Sequence, residues 1–182
     1  MIIFAPKETD PSETRAALTP ITVKRLVDIG FNVEVESGIA TGCGHSDSEY
    51  SESGAKVVND KAASLSAADF VFRVRKPPLE EINILKKGAI HLSFLDPFND
   101  AESLHAMASS EITAVSLEMI PRTALAQKMD ALSSQANIAG YTAVIYSAEK
   151  LNKILPMMMT PAGTISPAKY FVLGIGVAGL QA

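Results

Sequence analysis

The sequence contains one cysteine, no tryptophan, no run of basic residues and no hydrophobic run long enough to cross a membrane. Its single thiol, Cys43, excludes a disulfide within the chain and is typical of proteins from a reducing compartment. The longest apolar stretch ends near Ala182 and has about half of the roughly 20 residues that a membrane-spanning helix needs. Charge appears as early as Lys7, too soon for a secretory signal peptide. We therefore expect a soluble chain that does not insert directly into a membrane.

Basic residues are fewer than acidic ones. The chain has 16 Lys and Arg against 20 Asp and Glu, a net charge of −4 at pH 7, which argues against nucleic acid as a general partner. The three histidines, His45, His91 and His105, are scattered without metal-ligand spacing, so we predict no metal site. With 182 residues, 47% of them hydrophobic, the chain can bury a core and form one domain and part of another.

Short apolar segments alternate with helical ones, which predicts an α/β fold with a Rossmann-like or flavodoxin-like parallel sheet. The pattern gives an N-terminal α/β domain at 1–122, a connecting helix at 123–155, and the incomplete start of a dinucleotide-binding domain at 156–182. Thr19 followed by Pro20 predicts a helix start, because threonine caps the first turn and proline suits the first helical position. The predicted strands are 2–5, 31–36, 69–74, 90–95, 112–117 and a last one that begins near residue 169.

The last thirteen residues are typical of a buried strand that runs into G-x-G-x-x-G, the dinucleotide-binding fingerprint. In such a unit the first glycine permits a tight turn, the second lets the backbone approach a pyrophosphate, and the third lets helix and strand pack closely. The residues that would meet the pyrophosphate are Gly174, Gly176, Val177, Ala178 and Gly179. The acidic residue expected about 20 positions later would lie beyond Ala182. We therefore expect part of a larger nucleotide-binding protein, or a chain that has lost the usual mode of nucleotide binding.

A second polar group lies where the long helix is predicted to begin. At helical spacing Gln127, Asp130 and Ser134 share one face, opposite an apolar stripe. This face is either a solvated surface, with Asp130 favoured by the helix dipole, or a cluster directed at a ligand between domains. In the second interpretation Arg122 clamps a phosphate or carboxylate, Gln127 donates from its amide, and Asp130 fixes Arg122 or a cofactor hydroxyl. The pattern alone leaves both interpretations open.

The same residues resemble a known family. Arg122, Gln127, Asp130 and the segment up to Tyr141 are similar to the Arg-Gln-Asp loop and following helix of the NAD(H)-binding component of proton-translocating NAD(P)+ transhydrogenases. Three further segments agree with that family, at 7–20, 35–38 and 166–179. The resemblance implies an enzyme that transfers hydride between NADH and NADP+ while protons are translocated, within a multi-component complex. We expect the 182 residues alone to be inactive.

The resemblance also implies roles for individual residues, with NAD as the cofactor. Gln127 orients the nicotinamide, Arg122 and Asp130 fix the loop and belong with it to the catalytic group, and Ser133 supports the nicotinamide amide. The glycine-turn residues named above bind the pyrophosphate. The implied partners are an NADP-binding domain, a membrane-spanning subunit and a second copy of the chain in a homodimer. The implied location is cytoplasmic, at the periphery of the inner membrane through the partner subunits.

Two alternatives compete with this interpretation. Alanine dehydrogenases share the fold, but their substrate site uses an arginine, a lysine and a histidine, where this chain has Arg15, Arg75 and Asp96. Without the imidazole as acid and base, amination of pyruvate is disfavoured. Leu125 stands where many transhydrogenase relatives carry a second arginine, so no role of that charge transfers to this chain.

The second alternative is a truncated, non-catalytic interaction or dimerisation module, which the early end of the sequence favours.

Overall fold

Six parallel strands form the sheet of the first of two units in this computed structural model, which describes residues Met1–Ala182. The units are Met1–Ile120 and Pro121–Ala182. The strand order is β3-β2-β1-β4-β5-β6, so the direction of the strand sequence reverses between β1 and β4. The strands are β1 Ile2–Ala5, β2 Asn32–Glu36, β3 Lys56–Val58, β4 Phe70–Arg75, β5 Ile90–Phe94 and β6 Thr113–Ser116. This parallel sheet confirms the predicted α/β fold class.

Five helices connect these strands, and four of them begin at a side chain that caps the first turn. They are α1 Pro20–Asp28, α2 Asp47–Glu52, α3 Lys61–Ala67, α4 Leu79–Ile82 and α5 Ala101–Ser109. The Thr19 side chain accepts a hydrogen bond from the N–H of Thr22, as the predicted cap requires. Ser46 and Glu49 form a capping box at the start of α2. These caps satisfy backbone donors that the first turn of a helix leaves unpaired.

The two faces of the sheet carry separate hydrophobic clusters. Because neighbouring side chains of a strand point to opposite faces, Ile3 and Phe4 of β1 contribute to different clusters. Phe4 packs with residues that include Leu65 of α3 and Met107 of α5. Ile3 packs on the face that includes Val23 of α1 and Tyr50 of α2. Both faces are therefore covered, as expected for a parallel sheet.

The predicted strands of the first unit correspond to β1, β2, β4, β5 and β6, whereas β3 and α3 were not predicted. Strand β3 has three residues, too few for a period to appear in the sequence. Helix α3 has the sequence KAASLSA, with one large hydrophobic residue, so it lacks the apolar stripe that identifies an amphipathic helix. Both elements form because tertiary packing buries Val58 and Leu65.

The second unit differs more from its prediction. Helix α6 covers Ala131–Lys150 with Asp130 as its N-cap, whereas the predicted helix covered 123–155; a 3₁₀ turn at Gln127–Met129 precedes it. The segment predicted as a loop at 157–164 contains an antiparallel hairpin of β7, Met158–Thr160, and β8, Gly163–Ile165. The strand predicted from residue 169 is absent, since no other strand of the chain pairs with it and an unpaired strand leaves its backbone groups unsatisfied. The short helix α7, Val177–Gln181, follows the glycine turn.

The three-part division into 1–122, 123–155 and 156–182 stays a prediction. None of the helices combines the length and the apolar character that a membrane crossing requires.

Candidate functional site

A cleft of about 340 Å³ lies within the second unit, between the start of α6 and the glycine turn. One wall carries Arg122, Leu132, Ser133 and Ala136, and the other is formed by Leu173, Gly174, Gly176, Val177, Ala178 and Gly179. The structure thus brings seven of the nine predicted site residues to one cleft. Gln127 and Asp130 do not line it. The predicted grouping of an arginine, a serine and a glycine turn therefore exists inside a single unit.

Backbone geometry explains two of the three glycines of the turn, Gly174 and Gly179. Gly174 has a φ of 103°, a conformation that residues with a side chain rarely adopt. A Cβ on Gly179 would overlap the carbonyl oxygen of Gly174, so α7 can fold back onto the turn only without a side chain there. A Cβ on Gly176 would meet no atom within 4 Å. The turn is closed at Gly174 and Gly179 and open at Gly176, which fits the approach of a diphosphate to the backbone.

Asp130 caps α6. Its carboxylate accepts a hydrogen bond of 2.9 Å from the backbone N–H of Ser133. Hydrogen bonding from Ser133, together with the positive charge of Arg122, lowers the pKa of the Asp130 carboxyl. The pattern had allowed a helix-start role for Asp130 through the dipole, and the observed contact is a direct N-cap. The carboxylate binds the helix that carries Ser133 and thereby fixes one wall of the cleft.

Gln127 lies in the 3₁₀ turn before α6 and is exposed. The turn is anchored by the buried Ala126, whose N–H donates to the carbonyl oxygen of Thr123 at 3.1 Å. Leu125 beside it is 93% exposed. The amide of Gln127 is therefore presented to solvent on an anchored turn, outside the cleft.

The first unit has two further clefts at the carboxyl edge of the sheet, of about 430 and 380 Å³. Arg15 lines the larger, and Arg75 and Asp96 line the other. Glu13 accepts a bond of 2.7 Å from Nε of Arg15 and one of 3.0 Å from Nε of Arg75. These partners, Arg15 first, lower the pKa of the Glu13 carboxyl to about 2. Both guanidinium groups thus have a carboxylate partner from within the chain.

Comparison with known proteins assigns the chain to a family. The profile described as "Alanine dehydrogenase/PNT, N-terminal domain" matches residues 4–139, and the corresponding C-terminal domain matches residues 143–182. The chain belongs to the alanine dehydrogenase/PNT family. This result confirms the superfamily inferred from the sequence, and it accounts for the sheet in the first unit and the glycine turn in the second.

Within this family the more similar relatives are transhydrogenases. The first portion of the NAD(P) transhydrogenase alpha subunit of Rhodospirillum rubrum is 42% identical over 187 residues, which cover 100% of this chain and 49% of the relative. The crystal structure of a transhydrogenase from Sinorhizobium meliloti is 46% identical, with a TM-score of 0.95 over 100% of this chain and 54% of that one. The alanine dehydrogenase of Bacillus subtilis is 29% identical over 100% of this chain and 48% of its own. The chain spans about half the length of these relatives.

A buried charged network in the first unit was not predicted from the sequence. Arg73 of β4 is buried; it pairs with Glu81 of α4 and lies 3.9 Å from a carboxylate oxygen of Glu8. Burial first, and the charge of Arg73 second, lower the pKa of the buried His91 to about 3. Burial raises the pKa of the Glu8 carboxyl. The hydrogen bonds that it accepts from backbone N–H groups of β4 act in the opposite direction and offset only part of this shift. Val71 and Arg73 are two residues apart on β4, so their side chains lie on the same face of the sheet. An arginine at this inward-facing position was the signal for the buried network that the sequence offered.

Proposed function

We propose that this chain is the N-terminal part of the NAD(H)-binding component of a proton-translocating NAD(P)+ transhydrogenase. The observation that carries the proposal is the single cleft between the glycine turn and the wall of Arg122 and Ser133. A diphosphate carries negative charge, and this cleft offers an arginine, a hydroxyl and an open glycine backbone to it. The greater identity to transhydrogenase subunits than to alanine dehydrogenases supports the choice within the family.

In this proposal the residues hold and orient a nicotinamide coenzyme, specifically NAD(H). Gly176 lets the backbone approach the diphosphate, and Gly174 and Gly179 allow the tight turn and the close packing beside it. Val177 and Ala178 begin the helix behind the turn. A bound nicotinamide supplies the hydride chemistry. No side chain need act as acid or base for hydride transfer, so the task of the chain is to orient the reactants and exclude water.

The proposal assigns Gln127 to the nicotinamide end of the coenzyme. Its exposure on an anchored turn supports contact with a second nicotinamide-binding domain, because the amide is available to a ligand held between two proteins. Arg122 and Asp130 keep the loop and the helix start in place, and Ser133 supports the nicotinamide amide. The proposed partners are the NADP-binding domain, the membrane-spanning subunit and a second copy in a homodimer. The complex would then lie at the inner membrane, with this chain on the cytoplasmic side.

The carboxyl edge of the first unit argues against an alanine dehydrogenase activity. Arg15 and Arg75 both bond to Glu13, and Asp96 provides no imidazole for proton transfer. Pyruvate- and ammonium-dependent oxidation of NADH by the complete protein would favour that activity over the one we propose.

The test compares binding with hydride transfer in the complete complex. We expect Gln127→Asn to reduce the rate of hydride transfer from NADH to NADP+ at least about tenfold while NADH affinity falls less than about threefold. Asn137→Gln, at an exposed position of α6 outside the cleft, is the matched control and should leave both unchanged. Equal losses of affinity and rate would restrict Gln127 to binding.

NADH binding by the complete protein separates the proposal from the non-catalytic module. We expect the complete protein to bind NADH, as followed by its fluorescence, and Arg122→Gln to weaken that binding about tenfold through loss of the diphosphate contact. Absence of NADH binding by the complete protein would favour the interaction module and contradict the proposal.

A further inference from the structure

Gly140 is the one buried residue of α6, and it lies against the backbone of α7. Ser133, Ala136 and Gly140 are spaced by three and four positions, which puts them on one face of the helix. The first two line the cleft, whereas Gly140, about one turn beyond them, contacts the other wall. One helical face therefore forms part of the cleft and also supports the element opposite.

The contact allows no side chain at position 140. A Cβ there would lie 2.9 Å from the carbonyl carbon of Ala178 and would overlap its oxygen. Ala178 itself lines the cleft. The next residue, Gly179, packs against Gly174. Consecutive residues of α7 are thus fixed from two sides, by α6 and by the turn.

Helix stability gives no reason for glycine at this position. Alanine is the better helix former, and glycine in a helix interior is unfavourable because it loses more backbone entropy on folding. Helix α6 also continues through Gly140 to Lys150 without interruption, so the glycine does not end the helix. The close approach of Ala178 remains as its physical reason.

We propose that Gly140 is a positioning residue for the nucleotide site: its missing side chain sets the separation between the Ser133 wall and the glycine-turn wall. This inference rests on the proposed function. Gly140 does not touch the ligand in this scheme and acts through the backbone of Ala178. A methyl group at position 140 must move that backbone by about 1 Å, a displacement large enough to spoil the contacts of a bound diphosphate.

The test uses Gly140→Ala in the complete protein, with Thr142→Ala on the exposed part of the same helix as control. Affinity for NADH is measured by fluorescence, and affinities for ADP-ribose and adenosine are measured by competition. We expect Gly140→Ala to weaken NADH and ADP-ribose about tenfold or more, since both carry the diphosphate. Adenosine, which lacks phosphate, should change less than about twofold. Thr142→Ala should leave all three affinities unchanged.

Far-UV circular dichroism and thermal melting of the same variants separate positioning from general damage. Unchanged helix content and melting, together with a loss confined to the diphosphate ligands, supports the inference. Equal losses of affinity for adenosine and ADP-ribose, or wild-type affinities in Gly140→Ala, would overturn the inference. As long as the wild type binds NADH, the proposed function would still stand. Failure of the wild type to bind NADH would overturn both.

Discussion

Arg15 and Glu13 form a bidentate ion pair, with Nε and Nη2 of the arginine 2.7 and 2.6 Å from the two carboxylate oxygens. The same carboxylate accepts a bond from Arg75, at the end of β4. Glu13 is nearly buried, with 4% of its side chain exposed, whereas the arginines are about half exposed. One carboxylate therefore joins the loop after β1 to the end of β4, at the edge where the strand order reverses.

Glu13→Gln should destabilise the protein at neutral pH. The pKa of Glu13 is lowered from 4.5 to about 2, so its contribution is complete above pH 4.5 and is lost as the pH falls toward 2. Because solvent screens the half-exposed arginines, the ion pair contributes less than the pKa shift alone would suggest. We expect the free energy of unfolding at pH 7, measured by urea denaturation, to fall by about 1–2 kcal/mol. The variant should also lose less stability than the wild type between about pH 5 and 3.

The exposed Glu52→Gln on α2 serves as the control for this measurement. An equal fall in the stability of the wild type and of Glu13→Gln over the same pH range would contradict the role of the ion pair.

His91 should make the protein less stable in mild acid. Its pKa falls from 6.5 to about 3 in the folded state, so the unfolded chain takes up a proton below pH 6.5 that the folded chain refuses until about pH 3. Stability is therefore lost progressively as the pH falls through that window. Between pH 7 and 5 this group should cost about 1–2 kcal/mol.

In His91→Gln the loss of stability between pH 7 and 5 that comes from this histidine should be absent, as measured by the pH dependence of the urea midpoint. His105→Gln, at an exposed position of α5, should retain it. Identical slopes in wild type and His91→Gln would show that other groups control the acid sensitivity.

The buried pair of Arg73 and Glu81 should be more costly to break than to replace. Glu81→Gln leaves a buried guanidinium without the negative charge of its main partner and also removes the charge that pairs with Lys61 at 3.3 Å. We expect a loss of about 3–5 kcal/mol. The double variant Arg73→Met with Glu81→Gln removes both charges and should be more stable than Glu81→Gln alone. A double variant at least as unstable as the single one would contradict this account.

Substitutions of Asp130 distinguish a cap from a ligand. Asp130→Ala removes the acceptor for the Ser133 N–H and should lower the melting temperature of the complete protein, whereas Asp130→Asn keeps an acceptor and should not. If the carboxylate acts only as a cap, Asp130→Asn binds NADH as the wild type does. A loss of NADH affinity in Asp130→Asn without a change in melting would assign the charge itself to the ligand.

Local signals accounted for much of the fold. The apolar runs at β1 and β5 and the Thr19-Pro20 helix start are visible in the sequence because each depends on neighbouring residues. The strand predicted from residue 169 has the same apolar character and yet does not form, because a strand also requires a partner. Pattern identifies a segment that suits a sheet, while pairing is decided by the remainder of the chain.

The glycine part of the candidate site was predictable because backbone requirements leave a mark in the sequence. The glycine turn is such a case, since Gly174 and Gly179 are dictated by conformation and close contact. Gly140 lacked a comparable signal, because the atom that excludes its side chain belongs to Ala178, 38 positions later. The ion pair of Arg73 and Glu81 was likewise hidden, since charged residues ordinarily indicate the surface.

The interior position of β1 bears on how the chain folds during synthesis. Its neighbours are β2 and β4, and Phe4 pairs with Val71 of β4. The ribosome must therefore release the chain through the end of β4 before β1 can be enclosed on both sides. Until then, the edge of β1 that β4 later covers is unpaired, and the apolar Ile3 and Phe4 lie on this strand. In that state the nascent chain can aggregate through the open edge, and chaperone binding would compete with aggregation.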